Sequence, residues 1–337
     1  MIEKLIENYH FISWLKWLPE YLGYFLIITF FTLILMLYIF SVSILSFIID
    51  KKLRSSFLHT FSIRDFWQDI SHLKNGIKHL FPLYLILISI VILYSILPFC
   101  KGFFGVHLQN SVFFFLIVLS STILGFLILS LSLENQTVII ELMSLSSQLF
   151  LVLFLLFISS ISIFITSGSC DFFHIIQSQS GYSHIILPNW FIFNSIFTFI
   201  SFVIYFVACI CIVQLLNFNN KYRELRGSEN ILFHGIGLEP IILALFKYAI
   251  IYIIFAFGVT LFLGGWHTPI KGIRLLDGSF AGLIWFILKT FFIYYLALKS
   301  IYHIPVLSAN QFYKISFKYL IPIGLVAGFG SGILRIF

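Results

Sequence analysis

Apolar runs of bilayer length decide what this chain can be. Stretches near residues 21–49, 80–100, 112–133, 142–166, 189–216, 240–264, 282–303 and 317–334 are long enough, at roughly 1.5 Å per helical residue, to cross a hydrocarbon core about 30 Å thick. Lipid offers no partner for backbone N–H and C=O groups, so each run has to be a helix. With 60% of 337 residues apolar and a mean hydropathy of +1.06, the composition excludes a soluble globule. The expectation is an all-α polytopic membrane protein, a single membrane domain over 1–337, with eight transmembrane helices plus a surface amphipathic helix.

Orientation follows from the bases. With both termini on one face, segments 50–79, 134–141, 217–239 and 299–318 hold 12 Lys and Arg against 6 on the terminal face, which places these four segments inside and the termini outside. The net charge of +7 therefore reports topology and anionic lipid, with no nucleic-acid signature. The first run is too long for a signal-peptide core, and Glu3, Glu7 and Glu20 precede or flank it, so no cleaved presequence is expected. The 43 phenylalanines and abundant isoleucines are the mark of an AT-rich genome and point to an organelle-encoded gene. Of the four cysteines, Cys209 and Cys211 fall within a predicted helix without metal-ligand spacing and read as small apolar filler.

Two surface segments interrupt the apolar pattern. Residues 2–17 read equally as a short interfacial helix and as an extension of the first span. After the charged collar of Asp50, Lys51, Lys52 and Arg54, Ser62 and Asp65 open a helix in which Ile63, Phe66, Trp67, Ile70 and Leu73 form one stripe. Gly76 closes it, so 62–75 should lie flat on the inner surface, either as a plain anchor or as one wall of a portal into the bilayer.

The polar stretch 217–239 gathers Lys221, Arg223 and Arg226 with Glu224, Glu229 and Glu239 in a chain where only 10% of residues are charged. Glu141 sits at a lipid boundary, where an acid costs little. Lys247 and Lys289 lie within spans, where an unpaired ammonium costs on the order of 3 kcal/mol, so each needs a partner, water or a route to the interface. Gly324, Gly328 and Gly332 form a small-xxx-small ladder suited to close helix packing.

Several motifs, taken in order, resemble one family. SLENQTVIIELMSLSSQ, then SGS at 167–169, Gln179, and Pro188-Asn189-Trp190 are similar to the middle of the quinone-chamber membrane subunit of respiratory NADH:quinone oxidoreductase, complex I. In the mitochondrial enzyme that is subunit 1, and in the bacterial enzyme the H subunit. ELRGSENILFHGIGLE resembles the family's DLPExESELVxGFxxE; Phe262-Leu263-Gly264-Gly265-Trp266 matches its FLGGW, and PVLSANQ stands where it has PRxRYDQ. Lys318 and Pro322 follow at the family's spacing, Lys289 resembles a family lysine, and the resemblance runs from about residue 50 to 325.

The resemblance implies a subunit that binds no cofactor itself and forms a chamber for quinone as substrate. FMN and iron-sulfur clusters would lie in peripheral-arm partners on the matrix or cytosolic face, with antiporter-like and small membrane-arm subunits alongside. A quinone needs an apolar tunnel for its tail and a few polar groups for its head. Lys51, Phe66, Arg223, Glu224, Arg226 and Glu229 are the chamber and inner-loop candidates, and Glu141, Glu239, Lys247 and Lys289 the proton-path candidates. The alternative for the loop charges is a solvated docking face. No metal site and no catalytic residue are expected. The implied location is the mitochondrial inner membrane, with the bacterial inner membrane as alternative.

Departures from the family are as informative. Leu153 and Lys247 stand where it has membrane glutamates; Gly227 and Ile231 replace loop acids; Val306, Ser308 and Asn310 replace two arginines and an aspartate. The loop after Glu239 is about five residues short, and QLRxGP has no clean counterpart. Two rival readings are the equivalent subunit of a membrane-bound hydrogenase and an independent ion-coupled transporter. The latter predicts an internal inverted repeat, which the sequence does not display.

Overall fold

The computed structural model describes residues 41, 80–100, 108–131, 136–183, 187–226, 238–269, 279–303 and 309–336. The first expected span apart from residue 41, the flat helix 62–75 with Phe66, and the collar with Lys51 lie outside the described residues, as does Glu229.

Helices dominate: α1 (Leu80–Ile96), α2 (Ser111–Leu131), α3 (Gln136–Ser167), α4 (Phe172–Ser178), α5 (Phe191–Asn194), α6 (Ile196–Arg226), α7 (Leu238–Phe262), α8 (Ser279–His303), α9 (Ala309–Ile315) and α10 (Ile321–Ile336). A π-helical turn, Ser316–Leu320, joins α9 to α10. The one ladder among the described residues is a two-residue antiparallel pair, Tyr182–Ser183 against Leu187–Pro188. Among the described residues five helical stretches are long and apolar enough to cross a membrane, and Phe81–Ile96 and Phe246–Phe262 are shorter apolar helices. The all-helical membrane class is thus established.

Boundaries moved where local chemistry overrode the apolar pattern. The expected span 189–216 is broken at Ser195, between the short α5 and α6, where Ser195 and Thr198 bond reciprocally through side chain and backbone at the turn into α6. At its other end α6 continues through Arg226, so much of the stretch expected as a polar loop is helix. Lys221, Arg223, Glu224 and Arg226 are good helix formers, and leaving the bilayer gives them no reason to stop. The extension from 217 to 226 rises about 15 Å.

Helix α7 is the hub. Every residue from Tyr248 to Phe262 is buried, as a helix apolar on all sides should be. It packs on α1, α6 and α8, while α2 packs on α1 and α3, and α10 packs on α3 and α6. Glycines allow the closest approaches. A Cβ on Gly258 would collide with the ring of Tyr205, and one on Gly330 with Phe197. The ladder performs as expected: Gly324, Gly328 and Gly332 face Ile158, Ile161 and Ile165 of α3 in turn. Cys209 and Cys211 are buried free thiols in the α6 interior, consistent with their reading as filler.

Candidate functional site

The polar groups of this bundle concentrate at its two ends. At one end, here the loop end, α6 leaves the membrane and α7 enters it, and α3 begins. This end therefore carries the helix positions of Glu141 on α3, Arg223, Glu224 and Arg226 on α6, and Glu239 in the first turn of α7. Lys247 stands one residue inside the apolar stretch Phe246–Phe262, half-buried, its Nζ 5.1 Å from the centre of the Tyr248 ring. It belongs to the membrane boundary, within reach of the interface along its own stem.

Lys289 belongs to the opposite end, and the structure separates it from the other candidates. Its Nζ donates to three carbonyls, Leu263 O at 2.8 Å, Gly265 O at 3.0 Å and His267 O at 2.6 Å. The same ammonium lies 4.2 Å from the centre of the Trp190 ring. These carbonyls follow the C-terminus of α7, the negative end of the helix dipole, where a cation is stabilised. Carbonyl dipoles and an indole face replace the water this lysine gives up; no carboxylate is needed.

The turn that presents those carbonyls depends on glycine and on Gln179. Gly264 and Gly265 have φ of +68° and +51°, a region side chains rarely adopt. A Cβ at Gly264 would also lie 2.7 Å from Trp190. Gln179, wholly buried, donates from Nε2 to Thr260 O at 3.2 Å and Leu261 O at 3.1 Å. Its Oε1 accepts from Gly264 N at 2.8 Å and Phe191 N at 3.4 Å. One side chain thus binds α4, α5 and the end of α7, and the carbonyls left orphaned by helix termination find partners in Gln179 and Lys289. A second clasp of the same design closes α3: Arg335 Nη1 donates to Ile165 O, and its guanidinium covers Gly168, whose φ is +75°.

Beside Lys289 an apolar groove of about 510 Å³ opens between α5, α6 and α8, bounded by Trp190, Phe193, Phe202, Trp285 and Phe292. Its wall cation has all three protons committed to backbone, so the groove offers no free ammonium to orient a polar head group. Among the described residues no group of His, Cys, Asp and Glu is arranged to hold a metal.

Sequence reasoning used Gln179, Trp190 and FLGGW as motifs without seeing that they form one unit with Lys289. The available signal was the paired glycine after an apolar helix, which marks a helix terminus whose carbonyls need donors.

Fold and site together define a multi-pass membrane protein, an apolar bundle with charged helix ends on one side and a hydrogen-bonded clasp on the other. The sequence model of the NADH dehydrogenase family matches residues 68–330, and the chain belongs to that family. It is 27% identical over 268 residues to the H subunit of the NADH-quinone oxidoreductase of Bacteroides fragilis, covering 77% of this chain and 72% of the relative. The corresponding H subunit of Phocaeicola vulgatus is 27% identical over 263 residues, 76% of this chain and 71% of the relative. That of Frankia alni is 33% identical over 177 residues, 50% and 35% respectively. These relatives are bacterial, which leaves the mitochondrial assignment without support and fits the alternative, the bacterial inner membrane. Phe and Ile enrichment reports codon composition, which is not confined to organelles.

Proposed function

We propose that this chain is the membrane subunit that forms the quinone-binding chamber of an NADH:quinone oxidoreductase and links quinone reduction to proton translocation. It acts as part of the complex and is not catalytic alone. The observation that supports this most is the family match over 68–330 combined with the charged extension of α6, which lifts Arg223, Glu224 and Arg226 out of the apolar bundle near the start of α7. There, fixed bases stabilise the charge created on a reduced quinone and acids supply its protons. The chamber set is Lys51, Phe66, Arg223, Glu224, Arg226 and Glu229, and the whole bundle retains eight spans, the first within 21–49.

In this reading the FMN and iron-sulfur clusters sit in peripheral subunits docked over the loop end, while antiporter-like and small membrane subunits flank the bundle in the bacterial inner membrane. Glu141, Glu239 and Lys247 serve the proton path at the loop end. Lys289 serves as a clasp instead, because a proton leaving Nζ would abandon a carbonyl of the α7 turn.

The test is capture of the subunit from native membranes in mild detergent, followed by assay of NADH-driven quinone reduction with and without a quinone-site inhibitor. An inhibitor-sensitive activity in a large assembly is expected; a chain captured without redox partners overturns the reading. Glu229→Gln should lower quinone reduction while NADH oxidation by an artificial acceptor persists. Equal loss of both would refute its place in the chamber.

A further inference from the structure

The apolar groove beside Lys289 has a floor and a rim. On the floor Trp190, Lys289 and Ile293 are 9%, 8% and 3% exposed, while Phe193, Leu288, Phe292 and Leu296 on the rim are between 37% and 62% exposed. Leu288, Phe292 and Leu296 belong to the apolar span Ala281–Ile301, so the mouth of the groove faces hydrocarbon and not water. In lipid the alternative to an occupant is a void, in which the lining side chains forfeit their dispersion contacts on one side.

Shape selects the occupant. From Trp285 to Leu296 the groove follows α8 for eleven residues, about 16 Å. It starts at the clasp end, where Trp190 and Pro269 border it, and reaches Phe206, in the middle of the span Ile196–Gln214. That is about the depth of one leaflet, half of a hydrocarbon core roughly 30 Å thick. Spread over this length, a volume of about 510 Å³ gives a bore about 6 Å wide. A helix with its side chains measures about 10–12 Å across and does not enter such a bore. A single hydrocarbon chain does. The lining is aliphatic and aromatic apart from Lys289, whose three protons are committed to Leu263 O, Gly265 O and His267 O. The groove therefore binds by shape and apolarity, without a free charge to hold a phosphate or a quinone head.

We propose that this groove seats one acyl chain of a phospholipid from the leaflet at the clasp end, whatever its head group, as a structural lipid that keeps water from the clasp. The site goes beyond the quinone-reductase reading and does not depend on it. Lys289 lies on the floor, so a chain laid over it covers the side of the ammonium that the groove leaves open. Water at that point would compete for each of the three carbonyl bonds. The carboxyl end of the chain lies near Trp190 and Trp285, since indole rings suit the membrane interface, and its methyl end lies near Phe206 and Leu296.

The test takes the protein captured in mild detergent, with the subunits that accompany it, and returns it to vesicles of phosphatidylethanolamine and phosphatidylglycerol. Two probes are added in turn: phosphatidylcholine with a photoreactive diazirine near the carboxyl end of one acyl chain, and the same lipid with the diazirine near the methyl end. Cross-links are mapped by mass spectrometry of peptides. The first probe should mark Trp285 and the second Phe206 and Leu296, each more heavily than the exposed Val326 and Phe329 of α10, which report ordinary lipid contact. Phosphatidylglycerol carrying the same chains should give the same map. Leu296→Trp fills the deep end, so the Phe206 cross-links should vanish while those at Trp285 remain; the wild-type map decides by itself if that variant does not assemble. Groove labelling no heavier than that of α10, one undifferentiated map from both probes, a map that follows the head group, or Phe206 cross-links that persist in Leu296→Trp would each overturn the seat. Marks on α10 with none in the groove would mean that protein covers it, and preferential labelling of the groove by a quinone with a diazirine in its tail would give the site to quinone; either result also overturns the proposal.

Discussion

Replacing Lys289 with methionine separates a clasp from a proton carrier. The substitution keeps the length and apolar stem of the side chain and removes the charge with its three donors. Three buried carbonyls, those of Leu263, Gly265 and His267, then lose their partner, at about 1–3 kcal/mol each. Against this stands the cost of holding an ammonium in the membrane, on the order of 3 kcal/mol, which methionine does not incur. The balance is a destabilisation of about 3 kcal/mol. At roughly 2–4 °C per kcal/mol for chains of moderate size, the melting midpoint should drop by about 6 °C. Cys100, Cys209 and Cys211 are buried and outside any disulfide, so a dye that fluoresces on reaction with thiols reports unfolding of this bundle during heating. Lys289→Arg should fall between the two, because a planar guanidinium cannot direct its donors at three converging carbonyls as an ammonium does. An unchanged midpoint in Lys289→Met, together with abolished proton movement at normal quinone reduction, would refute the clasp.

Other changes probe the clasp and the hub. Gln179→Leu strands Thr260 O, Leu261 O, Gly264 N and Phe191 N, and should lower the thiol-dye midpoint at least as much as Lys289→Met; Gln179→Glu, which keeps the acceptor but not the donor, should be destabilising too. Gly258→Ala forces a Cβ into the Tyr205 ring in a fully packed part of the hub, with a cost of about 1–3 kcal/mol by the same assay.

Much of the architecture was legible because lipid simplifies the problem. Long apolar runs have only helix open to them, and α2, α7 and α8 begin within a few residues of the expected spans. Polarity was a poorer guide to helix ends. The change from apolar to charged composition at 217 marks where α6 leaves the bilayer, while the helix itself ends where its propensity does. The clasp was harder to read: its donors come from 179 and 289 and its acceptors from 260–267, and backbone carbonyls carry no residue code. Lys289 read as an intramembrane charge in need of a partner, water or a route to the interface, and its partner is the end of a neighbouring helix.

The two clasps also show how helix ends are held in this bundle. Helices α3 and α7 both end at the clasp end, and each has its terminal carbonyls held by a base from a later helix, Arg335 from α10 and Lys289 from α8. Those bases are consumed by helix ends, so the clasp end is tied by charge-assisted bonds, whereas the loop end carries its charges on an extension that has left the bilayer. Between them α10 is connected through the π turn Ser316–Leu320, where the Ile321 N–H reaches back to Ser316 O. Pro322 explains the turn: without an N–H it leaves the carbonyl of Lys318 unclaimed and its ring crowds that carbonyl, so an α-helical path through 318–322 is disfavoured. Ser316 is completely buried with its Oγ unpartnered, so the turn also holds a polar group that has given up water without a bond in return. The π turn therefore stands between α9 and the glycine ladder that packs α10 on α3, so Pro322 interrupts the α-helical path just before that packing begins.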